Sequence, residues 1–311
     1  KCDNGCKVYT TKMSGAEVGI YDGANPLATL DSIYIKDKDG FLTGYQLKAG
    51  ANYKLMKAGA LLNANNPVKV YIVADAAGTG VVTALDSVTN EIDISGSGNK
   101  MVTVLNVDSS GPTYTGYKGI TAPKIYSAGF DSVSSCKPIY TAGSIDNAAA
   151  SKIGILSALT TIDFGSTDPS NKYHAAQFVA NDGTVDIGQS VIIMSPGYTG
   201  CAIDHNYNDI AMAIYDYKSA SANTKAWINF GDMSISKEDE LTVTVTGQND
   251  LKISGSTVQN YAYVADNIEV SVIWNPPKAH KGYFFAQIDF TNGVAHIFGV
   301  STILALIGAL M

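Results

Sequence analysis

The segment from Asp204 to Asp209 carries the residues best suited to bind a cation, because its oxygen-bearing side chains alternate along the chain. Calcium loops present Asp and Asn side chains in this way. The segment departs from the EF-hand loop, since its sixth position is Asp209 instead of Gly and its twelfth is Tyr215 instead of Glu. Calcium binding and a simple turn therefore both remain open, and no other cofactor is expected. The calcium ligands would be Asp204, Asn206, Asn208 and Asp209.

The four cysteines are the second set of residues whose side chains could carry chemistry, either as disulfides or as metal ligands. An even number of cysteines in an exported chain predicts two disulfides, for which three pairings exist and the sequence selects none. A zinc site is disfavoured because no Cys-x-x-Cys pair is present. The first two cysteines lie in a short polar segment, so a bond to a neighbouring subunit is a further alternative. The disulfide candidates are Cys2, Cys6, Cys136 and Cys201.

Catalytic signatures are missing. The chain has no Gly-x-Ser-x-Gly elbow, no His-Glu-x-x-His pair, no phosphate-binding loop and no dinucleotide fingerprint. Gly96-Ser97-Gly98 is interpreted as a turn, because it lacks the Lys-Ser/Thr ending of a phosphate loop. The four histidines are too scattered to form a metal or catalytic pair. We therefore expect that the chain is not an enzyme and has no catalytic residue.

Composition points to an exposed, structural role. Only 16% of the residues are charged, the net charge is -7, and all 21 basic residues are lysine. The absence of arginine argues against nucleic-acid binding and phosphoryl chemistry, where its bidentate geometry is favoured. The start at Lys1-Cys2, without Met or an apolar leader, is typical of a mature exported chain. We expect an extracellular or cell-surface location.

Short alternating runs separated by turn signals dominate the chain and predict strands. Clear examples are 68–73, 81–85, 101–105, 241–246 and 283–290. Strands of this length at roughly ten-residue spacing are typical of sandwiches and jelly rolls. The predicted fold is mainly β, with two sandwich-like or jelly-roll-like domains and one or two short helices between them.

The helices are expected in the middle of the chain. Residues 146–159 begin with a capping Asp and continue with good helix formers. A second helix is predicted over residues 170–180, because Asp168 could cap it and Pro169 suits its first turn. Both segments are predicted to be short helices.

One stretch, residues 13–58, resembles a known family. Gly15-Ala-Glu-Val18, the turn Lys38-Asp-Gly-Phe41 and Leu47-Lys-Ala-Gly-Ala-Asn-Tyr-Lys-Leu55 are similar to transthyretin-like modules of surface proteins, including collagen-adhesin B-type repeats and carboxypeptidase regulatory-like domains. The resemblance implies a β-sandwich without catalytic residues. Some of these modules carry a Lys–Asn isopeptide bond assisted by a carboxylate. Here Lys57 occupies the carboxylate position, so the cross-link is not expected, although Lys12 lies in a plausible strand.

These patterns give a domain plan. It comprises a cysteine-containing segment 1–12, a transthyretin-like sandwich 13–110, a linker region 111–140, a second β-rich, jelly-roll-like domain 141–293 and an apolar C-terminal tail 294–311.

The tail is almost wholly apolar, and His296 is its single ionisable side chain. A membrane span needs about 20 apolar residues, so the uninterrupted apolar part is short for that purpose. The tail could be buried in its own core, in a neighbouring subunit or in lipid. We favour a neighbouring subunit. The residues expected to form the joint are Ile303, Leu304, Leu306, Ile307, Leu310 and Met311.

Together these features predict a structural subunit of an extracellular self-assembling polymer, such as a pilus-like fibre, a sheath or a surface layer. Its partners would be copies of itself, joined by strand addition, tail burial and disulfides. A membrane-anchored adhesin that recognises glycans or host protein is the alternative, with a viral capsid protein as a further one. An extracellular hydrolase is the weakest reading.

Overall fold

The structure, a computed structural model, describes most of the chain between residues 5 and 292. The described residues are 5–10, 17–22, 25–30, 38–47, 53–58, 70–74, 79–85, 91–106, 111–127, 129–130, 132–141, 152–155, 159–179, 182–196, 198, 200, 212–257, 259–277 and 282–292. They contain 24 strands and one four-residue helix. The fold is mainly β, as predicted, and it divides into two compact units. Unit 1 comprises residues 1–148, 154–180 and 197–204, and unit 2 comprises 149–153, 181–196 and 205–311.

Unit 1 is built from short strands. Its elements are β1 Cys6–Thr10, β2 Glu17–Asp22, β3 Asn25–Leu30, β4 Tyr45–Leu47, β5 Tyr53–Ala58, β6 Val70–Ala74, β7 Gly80–Leu85, β8 Glu91–Asp93, β9 Met101–Asn106, β10 Gly111–Lys118, β11 Lys124–Tyr126, α1 Ser132–Ser135, β12 Tyr140–Thr141, β14 Leu159–Asp163 and β15 Lys172–Val179. Strand β13, Lys152–Ile155, spans the division between the units. The sheets run β4-β1-β6, β3-β2-β5 and β12-β11-β14-β9-β7, and β15 pairs with both β10 and β8.

Successive side chains of a strand point to opposite faces, and those of β1 pack against a different cluster on each face. Val8 packs with Ile20 and Leu47 on one side. Tyr9 packs on the other side in a cluster that includes Met101 and Leu105 of β9. The sheet of β1 is therefore covered on both faces within unit 1.

Unit 2 is a sandwich of two sheets. Its strands are β16 Asp182–Thr184, β17 Gln189–Met194, β18 Ala213–Lys218, β19 Thr224–Ser234, β20 Glu240–Val245, β21 Leu251–Ile253, β22 Gln259–Ala265, β23 Glu269–Asn275 and β24 Tyr283–Asn292. The first sheet has the order β22-β19-β24-β17, and the second β16-β18-β23-β20-β21. Among the described strands of these two sheets, every pairing is antiparallel except that of β16 with β18. Alternate side chains of β19, β20, β23 and β24 are buried, which places the core between the sheets.

Both predicted helices are wrong where the structure describes them. Residues 152–155 of the first segment form strand β13, its last residue Leu159 begins strand β14, and residues 172–179 of the second segment form β15. Asp168 does not cap a helix. Its Oδ1 accepts a hydrogen bond of 2.8 Å from the backbone N of Ser170, two residues on, and so closes a turn. The chain then extends because Tyr173 packs edge-on against Tyr114 of β10, with ring centroids 4.9 Å apart.

The region expected to be a linker, residues 111–140, contains β10, β11, α1 and the start of β12. Strand β10 pairs with β15 over its whole length, with two register shifts. In the part that resembles transthyretin-like modules, β2 pairs antiparallel with β3 and β5. The strands predicted around Val18 and Tyr53 are therefore present.

Candidate functional site

The two sheets of unit 2 face each other in a defined order. The Tyr215 hydroxyl of β18 donates a 2.7 Å hydrogen bond to the Met194 carbonyl of β17. The rings of Trp274 in β23 and Phe284 in β24 lie 5.6 Å apart. Strand β17 therefore lies over β18 and β24 over β23. The strand orders then bring β22 and β21, the last strands of their sheets, to the same side of the sandwich. We name this the open side, bounded by residues 251–253 and 259–265.

Strand β22 is an unusually unprotected edge. Within the described part of the chain it is the longest strand at the end of a sheet. Its sequence, Gln-Asn-Tyr-Ala-Tyr-Val-Ala, contains no charged residue and no proline. Edge strands in monomeric proteins are commonly protected by lysine, proline, a bulge or short length. The described edge strands β5, β8, β16 and β21 carry charged residues, and β3 carries a proline. The remaining described edge strands β4, β6, β7 and β12 carry neither but are shorter than β22.

The side chains of β22 present two different surfaces. Asn260, Ala262 and Val264 are exposed, and Val264 has 55% of its surface accessible. Tyr261 and Tyr263 alternate with them and are half-buried. The Tyr261 ring lies 6.4 Å from that of core residue Phe230, and burial raises the pKa of its hydroxyl group. On the open side, the exposed side chains of Ala262 and Val264 therefore lie next to the half-buried tyrosine rings at the rim of the core.

Polar side chains lie on the outward face of the same sheet. The Asp289 carboxylate accepts hydrogen bonds from the Ser190 hydroxyl at 2.5 Å and from Gln287 Nε2 at 2.7 Å. Burial raises the pKa of Asp289, although these two hydrogen bonds oppose the shift. On the neighbouring strand β19 the Lys225 ammonium lies 4.7 Å from the centre of the Trp227 ring. This arrangement is a packed polar surface on the outward face of the sheet.

Unit 1 contains an ion-pair cluster at its own sheet edge. Lys172 Nζ lies 2.9 Å from Glu91 and 2.7 Å from Asp93, both in edge strand β8. Burial acts to raise the pKa of Asp93, but hydrogen bonds from Lys172 and Ser95 outweigh it and hold the pKa below its ordinary value. The cluster protects this edge with charge, in contrast to β22.

Two of the predicted cysteines are described. Cys6 is buried in β1 beside Val8, and Cys136 is half-buried just after α1. Both are disulfide-bonded in the structure, and no described cysteine is a free thiol. Cys2 and Cys201 lie outside the described residues.

The predicted calcium ligands Asp204, Asn206, Asn208 and Asp209 also lie outside the described residues. Tyr215, the twelfth position of that pattern, is a buried core residue whose hydroxyl donates a hydrogen bond to the Met194 carbonyl. Across the residues that the structure describes, no three acidic, histidine or cysteine side chains are grouped to hold a metal ion. The tail residues Ile303, Leu304, Leu306, Ile307, Leu310 and Met311 again lie outside the described part. Among the described helices, none is long and apolar enough to span a membrane.

Comparisons with known proteins identify no family. No family model and no curated protein matches the chain. Among solved structures, the mosquito-larvicidal Cry4Aa toxin of Bacillus thuringiensis is 8% identical with a TM-score of 0.24, over 92% of this chain and 42% of that one. The insecticidal delta-endotoxin Cry8Ea1 of the same species is 9% identical with a TM-score of 0.23, over 92% of this chain and 53% of that one. The chain spans about half the length of these toxins, and likenesses this weak carry no argument about function.

Proposed function

We propose that this chain is a structural subunit of an extracellular, self-assembling polymer, such as a filament, sheath or surface layer. The observation that carries the proposal is the uncharged, seven-residue edge strand β22 with its exposed Ala262 and Val264. An edge of this kind is a liability in a protein that remains monomeric. Between subunits it becomes a joint, because an added strand satisfies its backbone groups and covers its apolar side chains.

Two further features support this function. The low content of charged residues and the absence of arginine leave apolar burial and backbone pairing as the main sources of cohesion. Disulfide-bonded Cys6 and Cys136 fit an oxidising, extracellular setting. Both features suit a durable material outside the cell better than a soluble intracellular protein.

The test is to compare assembly of the wild-type chain with that of a double variant, Ala262→Lys and Val264→Lys. Negative-stain electron microscopy and sedimentation should show wild-type polymers. The double variant should remain monomeric, because two ammonium groups at the edge oppose the approach of another strand. Circular dichroism checks that it still folds.

The control is Ile120→Lys, which places one such ammonium group at a residue of unit 1 that lies outside the strands and is 78% exposed. This variant should polymerise like the wild type. A wild-type chain that stays monomeric at every concentration tested would refute the proposed function. A double variant that polymerises normally would exclude β22 as the joint.

A further inference from the structure

We infer that the occupant of the β22 edge is the C-terminal segment 294–311 of a second copy of this chain, added as a strand. This inference rests on the proposed function and specifies the two surfaces that meet.

The acceptor sets the requirements for its partner. Strand β22 has seven residues and is about 24 Å long at roughly 3.4 Å per residue. Its edge offers backbone groups, and its side chains offer tyrosine rings on one face and Ala262 and Val264 on the other. No charged residue of β22 is available to pair with a charged partner. A suitable donor is therefore extended, uncharged, apolar on both faces and at least seven residues long.

Segment 294–311 meets each requirement. It contains no Asp, Glu, Lys or Arg, and His296 is its single ionisable residue. It contains no proline, and it is more than twice as long as β22. The β-branched residues Val300, Thr302 and Ile303 favour an extended backbone. Its apolar side chains would cover the half-buried Tyr261 and Tyr263 on the core side and the exposed Val264 on the other side.

The sheet places the start of the segment near one end of the acceptor strand of its own copy. Strand β24 ends at Asn292, which is paired with Thr224 of β19. Thr224 is paired in turn with Ala265, the last residue of β22. Every copy therefore presents its donor segment and the end of its acceptor edge at one end of the same sheet. The start of the tail is therefore near the edge of its own copy, and the cross-linking experiment must distinguish a copy's own tail from that of a neighbour.

Cross-linking between two variants tests the inference. One variant carries Ala262→Cys, and its partners carry a single cysteine at each position of segment 294–311 in turn, such as Ser301→Cys or Thr302→Cys, because no described contact fixes the register and adjacent positions point to opposite faces. A disulfide requires Cα atoms about 4.4–6.8 Å apart. Mixed in equal amounts under mild oxidation, the two variants should give a covalent dimer that mass spectrometry maps to position 262 and a tail position. A mixture of Ile120→Cys with the same tail variants should give none.

A double variant, Ala262→Cys with Ser301→Cys or Thr302→Cys, separates the two sources of the segment. Cross-links confined to single chains would show that each tail fills its own edge, and this would overturn the inference. Normal polymers without any 262-to-tail cross-link would also overturn it while leaving the proposed function intact. If none of the chains polymerises, the proposed function fails as well.

Deletion of residues 294–311 gives an independent readout. The truncated chain should fold, because the core residues named above for both units precede the deletion. It should lose the polymerised fraction that the full chain shows under the same conditions. Normal polymerisation of the truncated chain would contradict the inference, and loss of membrane association in its place would favour an anchored adhesin.

Discussion

The aromatic rings of Trp274 and Phe284 lie 5.6 Å apart and join the two sheets of unit 2. Phe284 also lies 6.2 Å from Phe230 and 6.5 Å from Tyr215, and it is fully buried. It is therefore the aromatic residue that connects β24 with its own sheet and with the facing one. The stability of the sandwich should depend strongly on this side chain.

Replacing Phe284 with alanine is expected to lower the free energy of unfolding by about 3–5 kcal/mol, because a buried aromatic ring is lost and a cavity remains. The control is Phe285→Ala, the next residue, which is half-buried on the opposite face and should have a smaller effect. Urea unfolding followed by tryptophan fluorescence measures both. Equal losses in the two variants would contradict the assigned core.

Asp93 should stabilise the protein at neutral pH and lose this effect in acid. Its folded-state pKa lies below its ordinary value of 3.8, so its contribution is present above that value and disappears as the pH falls through the folded-state pKa. Asp93→Asn should therefore lower the urea midpoint slightly at pH 7 and have no effect well below pH 3.8. The effect should be small because the Asp93 side chain is 41% exposed and screened by water. Glu238→Gln, at an exposed position, is the control.

Asp289 should show the opposite dependence. Its folded-state pKa is raised by burial, so its favourable contribution is complete below the unfolded pKa and is lost as the pH rises through the folded pKa. Asp289→Asn keeps an acceptor for Ser190 and Gln287 and removes the buried charge. The variant should therefore raise the urea midpoint at pH 7 and lose this advantage in acid. An unchanged or lower urea midpoint at pH 7 would show that ionised Asp289 does not destabilise the fold at that pH.

The disulfide pairing should be Cys136 with Cys201 and Cys2 with Cys6. The backbone N of Lys137 donates a 3.1 Å hydrogen bond to the Gly200 carbonyl, which joins the chain next to Cys136 to the chain next to Cys201. A Cβ on Gly200 would lie 2.8 Å from the Lys137 carbonyl oxygen, so the two backbones approach closely. Peptide mapping by mass spectrometry without reduction tests the pairing. Four free thiols in freshly isolated protein would contradict both the pairing and the exported location.

Assembly should depend little on salt, since uncharged β22 and an apolar partner leave few ion pairs to screen. Polymers should therefore persist in molar sodium chloride at neutral pH, as measured by sedimentation. Disassembly under these conditions would indicate a joint held by charges. Disassembly in a chelator would instead support calcium binding at Asp204, Asn206, Asn208 and Asp209.

The sequence predicts the strands of unit 2 well because their burial alternates with period two. Residues 241–246 and 283–290 alternate in this way, and they form β20 and β24. The helix prediction at 170–180 fails because Asp168 and Pro169 suit a turn as well as a helix start, and tertiary packing of Tyr173 decides between them. The local sequence contains no signal for the parallel pairing of β7 with β9, because an intervening segment separates the two strands along the chain.

The candidate site was predictable only in part. Low charge and unprotected edges indicate assembly, but the sequence does not show that 259–265 lies at the end of a sheet. That position depends on which strands pair, and pairing is a long-range property. The sequence places Asp289 on the outward face, between apolar Ile288 and Phe290, and this is where it lies. Its partial burial was not predictable, because the covering comes from neighbouring strands.

The unpaired edge of β22 also has a consequence for symmetry. An edge that receives a different segment of the next copy makes a head-to-tail contact. Such contacts give an open filament unless the rotation between copies closes a ring or two copies exchange their tails reciprocally. An open filament of this kind would be polar. One terminal subunit would show an empty β22 and the other an unplaced tail, so the two ends would differ in how they grow and in what can cap them.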